Sequence, residues 1–283
     1  MIQTHTELAD LRACVEAWKR EGLRVGFVPT LGNLHAGHFS LVELARKYCE
    51  RVVASVFVNP TQFGPGEDYT RYPRTPETDA DGLAAAGCDA LWLPSVETMY
   101  PFGPDAAVQV RVPGITDVLD GEHRPGHFDG VATVVARLFN QVQPVVAAFG
   151  RKDYQQLAVI RYLVRDLAIP VDVLAGDTLR EADGLAMSSR NQYLDAGQRA
   201  RAPEIFATLQ AMRTQFLDGA MRESVEGHAR IRLAAAGFQV DYAVVRRPDL
   251  GAPVAGDAGP WMALIAARLG STRLIDNLEF DAG

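Results

Sequence analysis

Two histidines three positions apart lie in a glycine-containing turn, and their type and spacing suggest the binding of a phosphate group. The segment LGNLHAGH contains Gly32, His35, Gly37 and His38. Glycine has no Cβ, so an anion can approach the backbone closely. A helix that starts here would add unpaired N–H groups and the positive end of its dipole. On a first helical turn both imidazoles can face one ligand, as neutral donors or as cations.

Other interpretations of this histidine turn are open from the residues alone. The turn has neither the lysine of G-x-x-x-x-G-K-[ST] nor the spacing of G-x-G-x-x-G. A capped helix start with two surface histidines would give the same pattern. A zinc site is less favoured, because no cysteine or carboxylate cluster stands nearby to complete it.

The flanking residues predict the two elements that position the turn. Residues 24–30 are apolar enough for a buried strand, with Val25, Phe27 and Val28. A helix is predicted from near Gly37, because apolar residues recur at positions 41, 44, 45 and 48. The turn therefore connects a strand to a helix.

Strands and helices alternate through the first 177 residues. Strands are predicted over 51–58, 90–93, 108–112, 144–149 and 170–174, and helices over 6–21, 76–86, 131–142 and 154–167. This alternation predicts an α/β domain with a parallel sheet covered on both faces. In such sheets, ligands bind at the carboxyl ends of the strands, near the switch in strand order.

Three of these strands end in polar turns, PTLGNLHAGH, NPTQF and GRKDYQQ. Their shared edge of the sheet would collect His35, His38, Asn59, Gln62, Lys152, Asp153 and Gln156. Lys152 and Asp153 alone could also be a helix-start pair in which Asp153 caps the helix. A further loop, GEHRPGHFDG over 121–130, carries two histidines and an arginine, and its role is open.

The alternation stops after Gly176, which predicts a second domain. The polar segment DGLAMSSRNQY is followed by helical patterns over 196–217 and 222–236. Strands are predicted over 239–246, over 261–269 and around 273–275. We expect a smaller α+β domain over 178–283 after a first domain over 1–177. A site made by two domains can close over its ligand.

Composition limits the partners and the compartment. The chain has 283 residues, 48% hydrophobic and 22% charged, as is ordinary for a soluble globular protein. Its net charge of −7 argues against nucleic acid as the main partner. Three scattered cysteines without a CxxC pair suggest reduced thiols in a cytoplasmic protein. Residues 1–10 do not resemble a signal peptide, and no apolar run is long enough for a membrane span.

Seven segments together resemble the pantoate–β-alanine ligase (pantothenate synthetase) family. In chain order they are PTLGNLHAGH, FVNPTQF, YPRT, RPGHFDGV, FGRKDYQQL, DGLAMSSRN and RLIDN. The resemblance implies a Rossmann-like N-terminal domain, a smaller C-terminal lid domain and a homodimer. It also implies an ATP-dependent ligase that joins D-pantoate to β-alanine through a pantoyl adenylate, releasing AMP and pyrophosphate.

The resemblance also assigns site residues. The ATP-binding positions are Leu31, Gly32, His35, His38, Gly150, Lys152, Asp153, Leu179, Met187, Ser188, Ser189 and Arg190. The substrate-binding set is Gln62, Gln156 and Asn59. His38 falls at the position of the proton donor, and His35, Lys152 and Arg190 complete the expected catalytic set. Leu31 stands where the family usually has methionine, a substitution that keeps an apolar contact of similar volume. Mg²⁺ is expected to arrive with ATP, and no metal site on the protein is predicted.

Two other functions are compatible with parts of this pattern. A nucleotidyl transferase that stops after its first step would share the histidine turn and the serine-rich loop, but it would not explain NPTQF or FGRKDYQQ. A nucleotide-binding module without catalysis would bind ATP and release no pyrophosphate. The joint presence of both histidines, Lys152 and Arg190 argues against such a module.

Overall fold

The computed structural model describes residues 2–254 and 256–281, and the chain divides into two units. The first unit contains the residues up to Gly150 together with Gln156–Asp177. The second contains Arg151–Gln155 and the residues from Thr178 onward. The short segment Arg151–Gln155 therefore belongs with the C-terminal residues, although it lies between two parts of the first unit.

The first unit is built on a six-stranded parallel sheet. Its strands are β1 Gln3–His5, β2 Val25–Thr30, β3 Arg51–Val56, β4 Ala90–Trp92, β5 Val146–Gly150 and β6 Asp172–Gly176. The strand order is β1-β4-β3-β2-β5-β6, and all the neighbours are parallel. The order reverses between β2 and β5, so the carboxyl ends of these two strands flank the position where α/β sheets bind ligands.

Helices cover both faces of this sheet. They are α1 Leu8–Arg20, α2 Ala36–Arg46, α3 Pro76–Ala85, α4 Val96–Met99, α5 Asp120–His123, α6 His127–Val142 and α7 Tyr154–Asp166. Side chains alternate along each strand. Phe27 therefore lies in one apolar cluster, where its ring meets Phe139 of α6 edge-on, whereas Val28 lies in a separate cluster. This burial on both faces explains the continuous apolar runs of the strands.

Among its described residues, the second unit contains a three-stranded antiparallel sheet and three α-helices. The strands are β7 Gln239–Arg246, β8 Trp261–Leu269 and β9 Thr272–Phe280, in the order β7-β8-β9. The helices are α8 Ala196–Arg201, α9 Glu204–Leu217 and α10 Arg222–Ala235. Phe216 of α9 packs edge-on against Trp261 and Phe280, which gives this unit an aromatic core of its own.

The predicted fold class, a Rossmann-like parallel sheet followed by a smaller α+β part, is confirmed. The strand predicted over 108–112 is wrong. The backbone N–H of Val110 in this segment instead donates to the Thr133 hydroxyl of α6, at 2.9 Å. The edge strand β1 was not predicted, because its sequence QTH is polar.

Two further element predictions need correction. The single helix predicted over 196–217 is two helices, α8 and α9, separated at Pro203, which lacks a backbone N–H for the helical ladder. The loop predicted over 121–130 contains the last three residues of α5 and the first turn of α6. Across residues 2–254 and 256–281, none of the helices is both long and apolar enough to cross a membrane.

Candidate active site

The histidine turn leaves β2 and caps α2 with two imidazoles. His35 is the N-cap residue of α2, and its Nδ1 accepts the backbone N–H of Gly37 at 3.1 Å. The Nδ1 of His38 accepts the backbone N–H of His35 at 3.3 Å. The two ring centroids are 4.2 Å apart. Two rings thus replace the hydroxyl and carboxylate of an ordinary capping box.

This arrangement determines which ring nitrogens carry protons. A backbone N–H can only donate, so Nδ1 of both rings must act as an acceptor. Each neutral imidazole therefore carries its hydrogen on Nε2. His35 and His38 can both present an N–H donor at the start of α2, where the helix dipole favours negative charge.

Two glycines shape the turn. A Cβ at Gly37 would lie 2.9 Å from Cε1 of His35, so a side chain there would displace that ring. Gly32 has a φ of +88°, which disfavours other residues, and a Cβ there would lie 2.9 Å from Cγ1 of Val56. The backbone after β2 therefore depends on glycine for both its path and the position of an imidazole.

The buried carboxylate of Asp79 on α3 binds the backbone of the histidine turn. Asp79, 1% exposed, accepts the N–H groups of Asn33 and Leu34 at 2.9 and 2.8 Å, one on each oxygen, and also the Thr75 hydroxyl. Asp79 could not be predicted from the sequence. In PETDADGL it is one of several acidic residues near a helix start, and nothing local marks it as the one that turns inward.

The turn after β3 contains a buried amide network around Asn59. Asn59 is fully buried, and its Nδ2 donates to the Gly130 carbonyl at 3.2 Å and to Oε1 of Gln62 at 3.1 Å. Its Oδ1 accepts the Thr61 N–H and the Tyr100 hydroxyl. The Gly130 carbonyl can only accept and the Thr61 N–H can only donate, which fixes the orientation of this amide.

The network orients Gln62. Because Nδ2 of Asn59 donates to Oε1 of Gln62, the NH₂ end of Gln62 is the end that can donate to a ligand. Gln62 is 6% exposed, so its side chain is held rather than mobile. The structure therefore brings Asn59 and Gln62 together, with Asn59 supporting Gln62.

Gly150 is the last residue of β5, the strand next to β2 in the sheet. Packing in the fold does not require glycine at this position. A Cβ built there has no atom of the described residues within 4 Å, and its φ is not in the left-handed region. By contrast, Gly176 at the end of β6 faces the side chain of Leu41. Gln156 lies in the first turn of α7 and is partly buried.

In the second unit, Lys152 and Asp153 lie in a single 3-10 turn, Arg151–Asp153. Nζ of Lys152 is 3.8 Å from Oδ2 of Asp153. The backbone of this turn is held by Asn277 of β9, whose Nδ2 donates to the carbonyls of Arg151 and Lys152 at 2.9 and 2.8 Å. Asn277 thus sets the position of the lysine backbone.

Asp276, the neighbour of Asn277 on β9, holds the segment that carries the other expected ATP residues. It accepts both terminal nitrogens of Arg180, at 2.5 and 3.0 Å. The Arg180 guanidinium also lies 3.7 Å from the centre of the Phe206 ring. Burial raises the pKa of Asp276, and the hydrogen bonds from Arg180 oppose that rise.

Arg180 and Ala186 form an isolated antiparallel bridge, and the Met187 N–H donates to the Leu179 carbonyl at 2.9 Å. Ser188 then caps the 3-10 helix Ser189–Tyr193 by accepting the Arg190 N–H. Leu179, Met187 and the SSR triplet therefore belong to one hairpin-like loop. The sequence motif RLIDN indicates the family, but it does not predict the anchoring roles of Asp276 and Asn277.

The cysteines offer no activated nucleophile. Cys14, Cys49 and Cys88 are not in disulfides. Burial raises the pKa of all three thiols, that of Cys88 to about 12. Among residues 2–254 and 256–281, no three His, Cys, Asp or Glu side chains are grouped so as to hold a metal ion.

Known proteins are similar to this chain over almost its entire length. The profile of the family described as pantoate-beta-alanine ligase matches residues 3–279. A pantothenate synthetase of Xanthomonas oryzae pv. oryzae is 66% identical over 280 residues, which cover 99% of this chain and 100% of that protein. This chain belongs to the pantoate–β-alanine ligase family.

Solved structures of the family have the same fold. Pantothenate synthetase from Thermus thermophilus superposes with a TM-score of 0.91 at 48% identity, covering 98% of this chain and 99% of that one. The pantoate-beta-alanine ligase from Francisella tularensis, complexed with beta-gamma ATP and beta-alanine, gives 0.82 at 30% identity, covering 99% and 98%. The family recognised from the sequence, and its enzymatic nature, are therefore confirmed.

Proposed function

We propose that this chain condenses D-pantoate with β-alanine to pantothenate at the expense of ATP, through a pantoyl adenylate, with release of AMP and pyrophosphate. Family membership over the whole chain supports the overall reaction. The observation that carries the phosphate chemistry is the imidazole pair of His35 and His38. Both rings direct Nδ1 to the backbone and keep Nε2–H as a donor.

The chemical problem is the poor leaving group of a carboxylate. In the proposed first step, a carboxylate oxygen of pantoate attacks the α-phosphorus of ATP, and the bond from that phosphorus to pyrophosphate breaks. Little covalent chemistry is required of the protein, so positioning and charge stabilisation are its main contributions. The high pKa values of the three thiols are in keeping with a route that uses no covalent enzyme intermediate.

We assign the phosphates to the following donors, residue by residue. His35 and His38 donate to phosphate oxygens, and His38 protonates or shields the charge that develops. Lys152 and Arg190 neutralise the β- and γ-phosphates, and Ser188 and Ser189 add hydroxyl and backbone donors. Asp153 is assigned to the ribose. The remaining nucleotide contacts are assigned to Leu31, Gly32, Gly150, Leu179 and Met187.

Mg²⁺ is proposed to enter as part of the ATP substrate. This ion prefers several waters and the oxygens of bound phosphates over a dedicated protein cage. The described residues contain no cluster of three or more ligating side chains, and a metal that is carried by the nucleotide does not need one. The ion would neutralise phosphate charge, and the residues assigned above would orient the same phosphates.

Gln62 and Gln156 are proposed to bind pantoate. The NH₂ group of Gln62 can donate to a hydroxyl or carboxylate oxygen without placing a full charge beside the reacting group. Asn59 contributes by holding Oε1 of Gln62. In the second step, the neutral amine of β-alanine attacks the acyl carbon, the bond from that carbon to the AMP oxygen breaks, and the amine loses a proton.

Three broader assignments complete the proposal. Residues 1–177 form the nucleotide- and pantoate-binding domain, and residues 178–283 act as the lid domain. The protein is a homodimer in the cytoplasm. These assignments rest on the family resemblance and on the cysteine content, and size measurement in solution tests the dimer.

Oxygen labelling tests the adenylate route. Pantoate labelled with ¹⁸O in its carboxylate should transfer one label to AMP, because the oxygen that attacks phosphorus leaves with AMP in the second step. A label found in inorganic phosphate, together with ADP, would indicate an acyl phosphate and overturn the route.

A further inference from the structure

The segment over 121–130, which has no role in the proposed function, makes a direct contact with the residue assigned to pantoate. Nδ1 of His127 lies 2.7 Å from the backbone carbonyl oxygen of Gln62. Nε2 of the same ring lies 2.9 Å from a terminal nitrogen of Arg124. The imidazole therefore bridges a guanidinium and a carbonyl.

These two partners determine the protonation of His127. A guanidinium can only donate, so Nε2 must accept, and a carbonyl can only accept, so Nδ1 must carry the hydrogen. Only the neutral Nδ1–H form satisfies both contacts. Burial and the neighbouring Arg124 charge lower the pKa of His127 to about 4, in agreement with this form.

The bridge is anchored at its far end by an ion pair. Arg124 donates to both carboxylate oxygens of Glu67, at 2.7 and 2.6 Å. These two side chains are only 16% and 25% exposed, so solvent screens the pair weakly. The pair fixes the guanidinium, and the guanidinium fixes the imidazole.

A second, independent contact joins α6 to the same backbone. A Cβ at Gly130 would lie 2.4 Å from the Thr61 carbonyl oxygen and 2.7 Å from Cα of Gln62. No other residue fits there without moving the main chain. The Gly130 carbonyl also accepts the Asn59 amide that orients Gln62. The start of α6 thus contacts the Gln62 backbone through His127 and Gly130, and it reaches the Gln62 side chain through Asn59.

We propose that His127 is a positioning residue for pantoate. By bridging Arg124 and the Gln62 carbonyl, His127 fixes the backbone that carries the substrate-binding Gln62 side chain. This inference rests on the proposed function, in which Gln62 contacts pantoate. It assigns to the 121–130 segment the task of supporting pantoate recognition. ATP recognition, which uses other residues, should not depend on it.

Two substitutions separate the hydrogen bonds from the packing. His127→Phe keeps a ring against Phe128, which lies 4.9 Å away between centroids, and removes both bonds. His127→Asn keeps an amide N–H near the position of Nδ1, and so can still donate to Gln62. His228→Phe is the matched control, because His228 is an exposed histidine of the second unit.

The experiment measures KM for pantoate and for ATP in all three variants, with pantoate binding by calorimetry in the absence of ATP. We expect His127→Phe to raise the pantoate KM about 10–100-fold, a range typical of a displaced positioning group. Its ATP KM should change less than about twofold, and His127→Asn should recover part of the loss. The control should match the wild type.

Failure of the inference and failure of the proposed function give different results. A folded His127→Phe variant with wild-type pantoate KM and affinity would overturn the inference alone. An equal loss for pantoate and ATP would also overturn it. If His127→Phe does not fold, His127→Asn is compared with Gln62→Ala instead. A pantoate KM of His127→Asn as large as that of Gln62→Ala would overturn the role of the Nδ1 donor. A wild-type protein that neither binds nor uses pantoate would overturn the proposed function, and this inference with it.

Discussion

His35 and His38 use the same ring atom for the same task, since Nδ1 of each accepts a backbone N–H at the start of α2. Their ring centroids are 4.2 Å apart, so the two imidazoles lie side by side at the start of the helix. The helix cap and the proposed phosphate site are therefore one structure. A change in either imidazole affects the local backbone as well as the chemistry.

Two substitutions at His38 should separate these effects. His38→Ala should lower turnover about 10²–10⁴-fold, as expected for a positioned proton donor or charge-stabilising group. His38→Asn places an amide oxygen near Nδ1, so it should keep the cap and a thermal stability close to that of the wild type. It should still lose turnover to a similar extent, because it has no donor at Nε2. Steady-state rates and thermal unfolding check both, and wild-type turnover in either variant would exclude the role of His38.

Gly150 should tolerate alanine structurally but not functionally. No described atom lies near its Cβ position, so Gly150→Ala should change the free energy of unfolding by less than about 0.5 kcal/mol. If the nucleotide approaches the backbone here, the added methyl group should weaken ATP binding about tenfold or more. Calorimetry with ATP measures this. Gly227→Ala, another position with no neighbour within 4 Å but on α10, is the matched control and should bind ATP normally. Unchanged ATP affinity in Gly150→Ala would remove this residue from the site.

Asn277 should act through the backbone of Lys152. Lys152→Ala should reduce turnover about 10²–10⁴-fold. Asn277→Ala removes two donors to the Arg151–Asp153 turn and should reduce turnover about 10–100-fold. If Asn277 only positions Lys152, the double variant should be no slower than Lys152→Ala. Asn140→Ala on α6 is the control, because that amide donates to a carbonyl of its own helix. Fully additive losses would show that Asn277 has a separate role.

The free energy of unfolding should decrease as the pH falls from the pKa of His127 in the unfolded chain towards its pKa in the fold. Its pKa is about 4 in the fold and near 6.5 in an unfolded chain, so the unfolded state binds the extra proton between these values. The neutral ring therefore contributes fully above about pH 6.5, and its contribution is lost on going down to about pH 4. The charged groups that face it are Arg124, Glu67 and Asp120.

Urea unfolding at pH 7.5 and pH 5 measures this contribution. Between these values the wild type should lose about 1–2 kcal/mol more than His127→Phe, after allowance for the partial exposure of the ring. Glu67 and Asp120 remain in both proteins, so their contributions largely cancel in the comparison. An identical loss in the two proteins would show that His127 is not held neutral.

The sequence was most informative where one local pattern decides the structure. The strand–turn–helix unit around His35 could be predicted because a short continuous apolar run is followed, across a glycine-containing turn, by apolar residues at the 3.6-residue period of a helix. The helix break at Pro203 could have been predicted from the missing N–H, but the apolar pattern of residues 196–217 continues across it.

Tertiary contacts decide the features that could not be predicted. The apolar segment over 108–112 has the composition of a strand, yet the Val110 N–H bonds to a side chain of α6 and to no strand. Asp79 and His127 act on backbone atoms 46 and 65 positions away in the chain, namely the Asn33 N–H and the Gln62 carbonyl. No local spacing encodes such a pair, so the supporting residues of the site required the structure.

Product analysis by mass spectrometry, with and without β-alanine, tests the proposed ligase reaction and its adenylate intermediate in one experiment. The protein would be incubated with Mg-ATP and D-pantoate, and the products compared in the two conditions. We expect pantothenate and stoichiometric AMP only when β-alanine is present. Pyrophosphate formed at the same rate with and without β-alanine, with no amide product, would indicate a nucleotidyl transferase. ADP in place of AMP would exclude the adenylate. Intact ATP binding without turnover would contradict the assignment as a ligase.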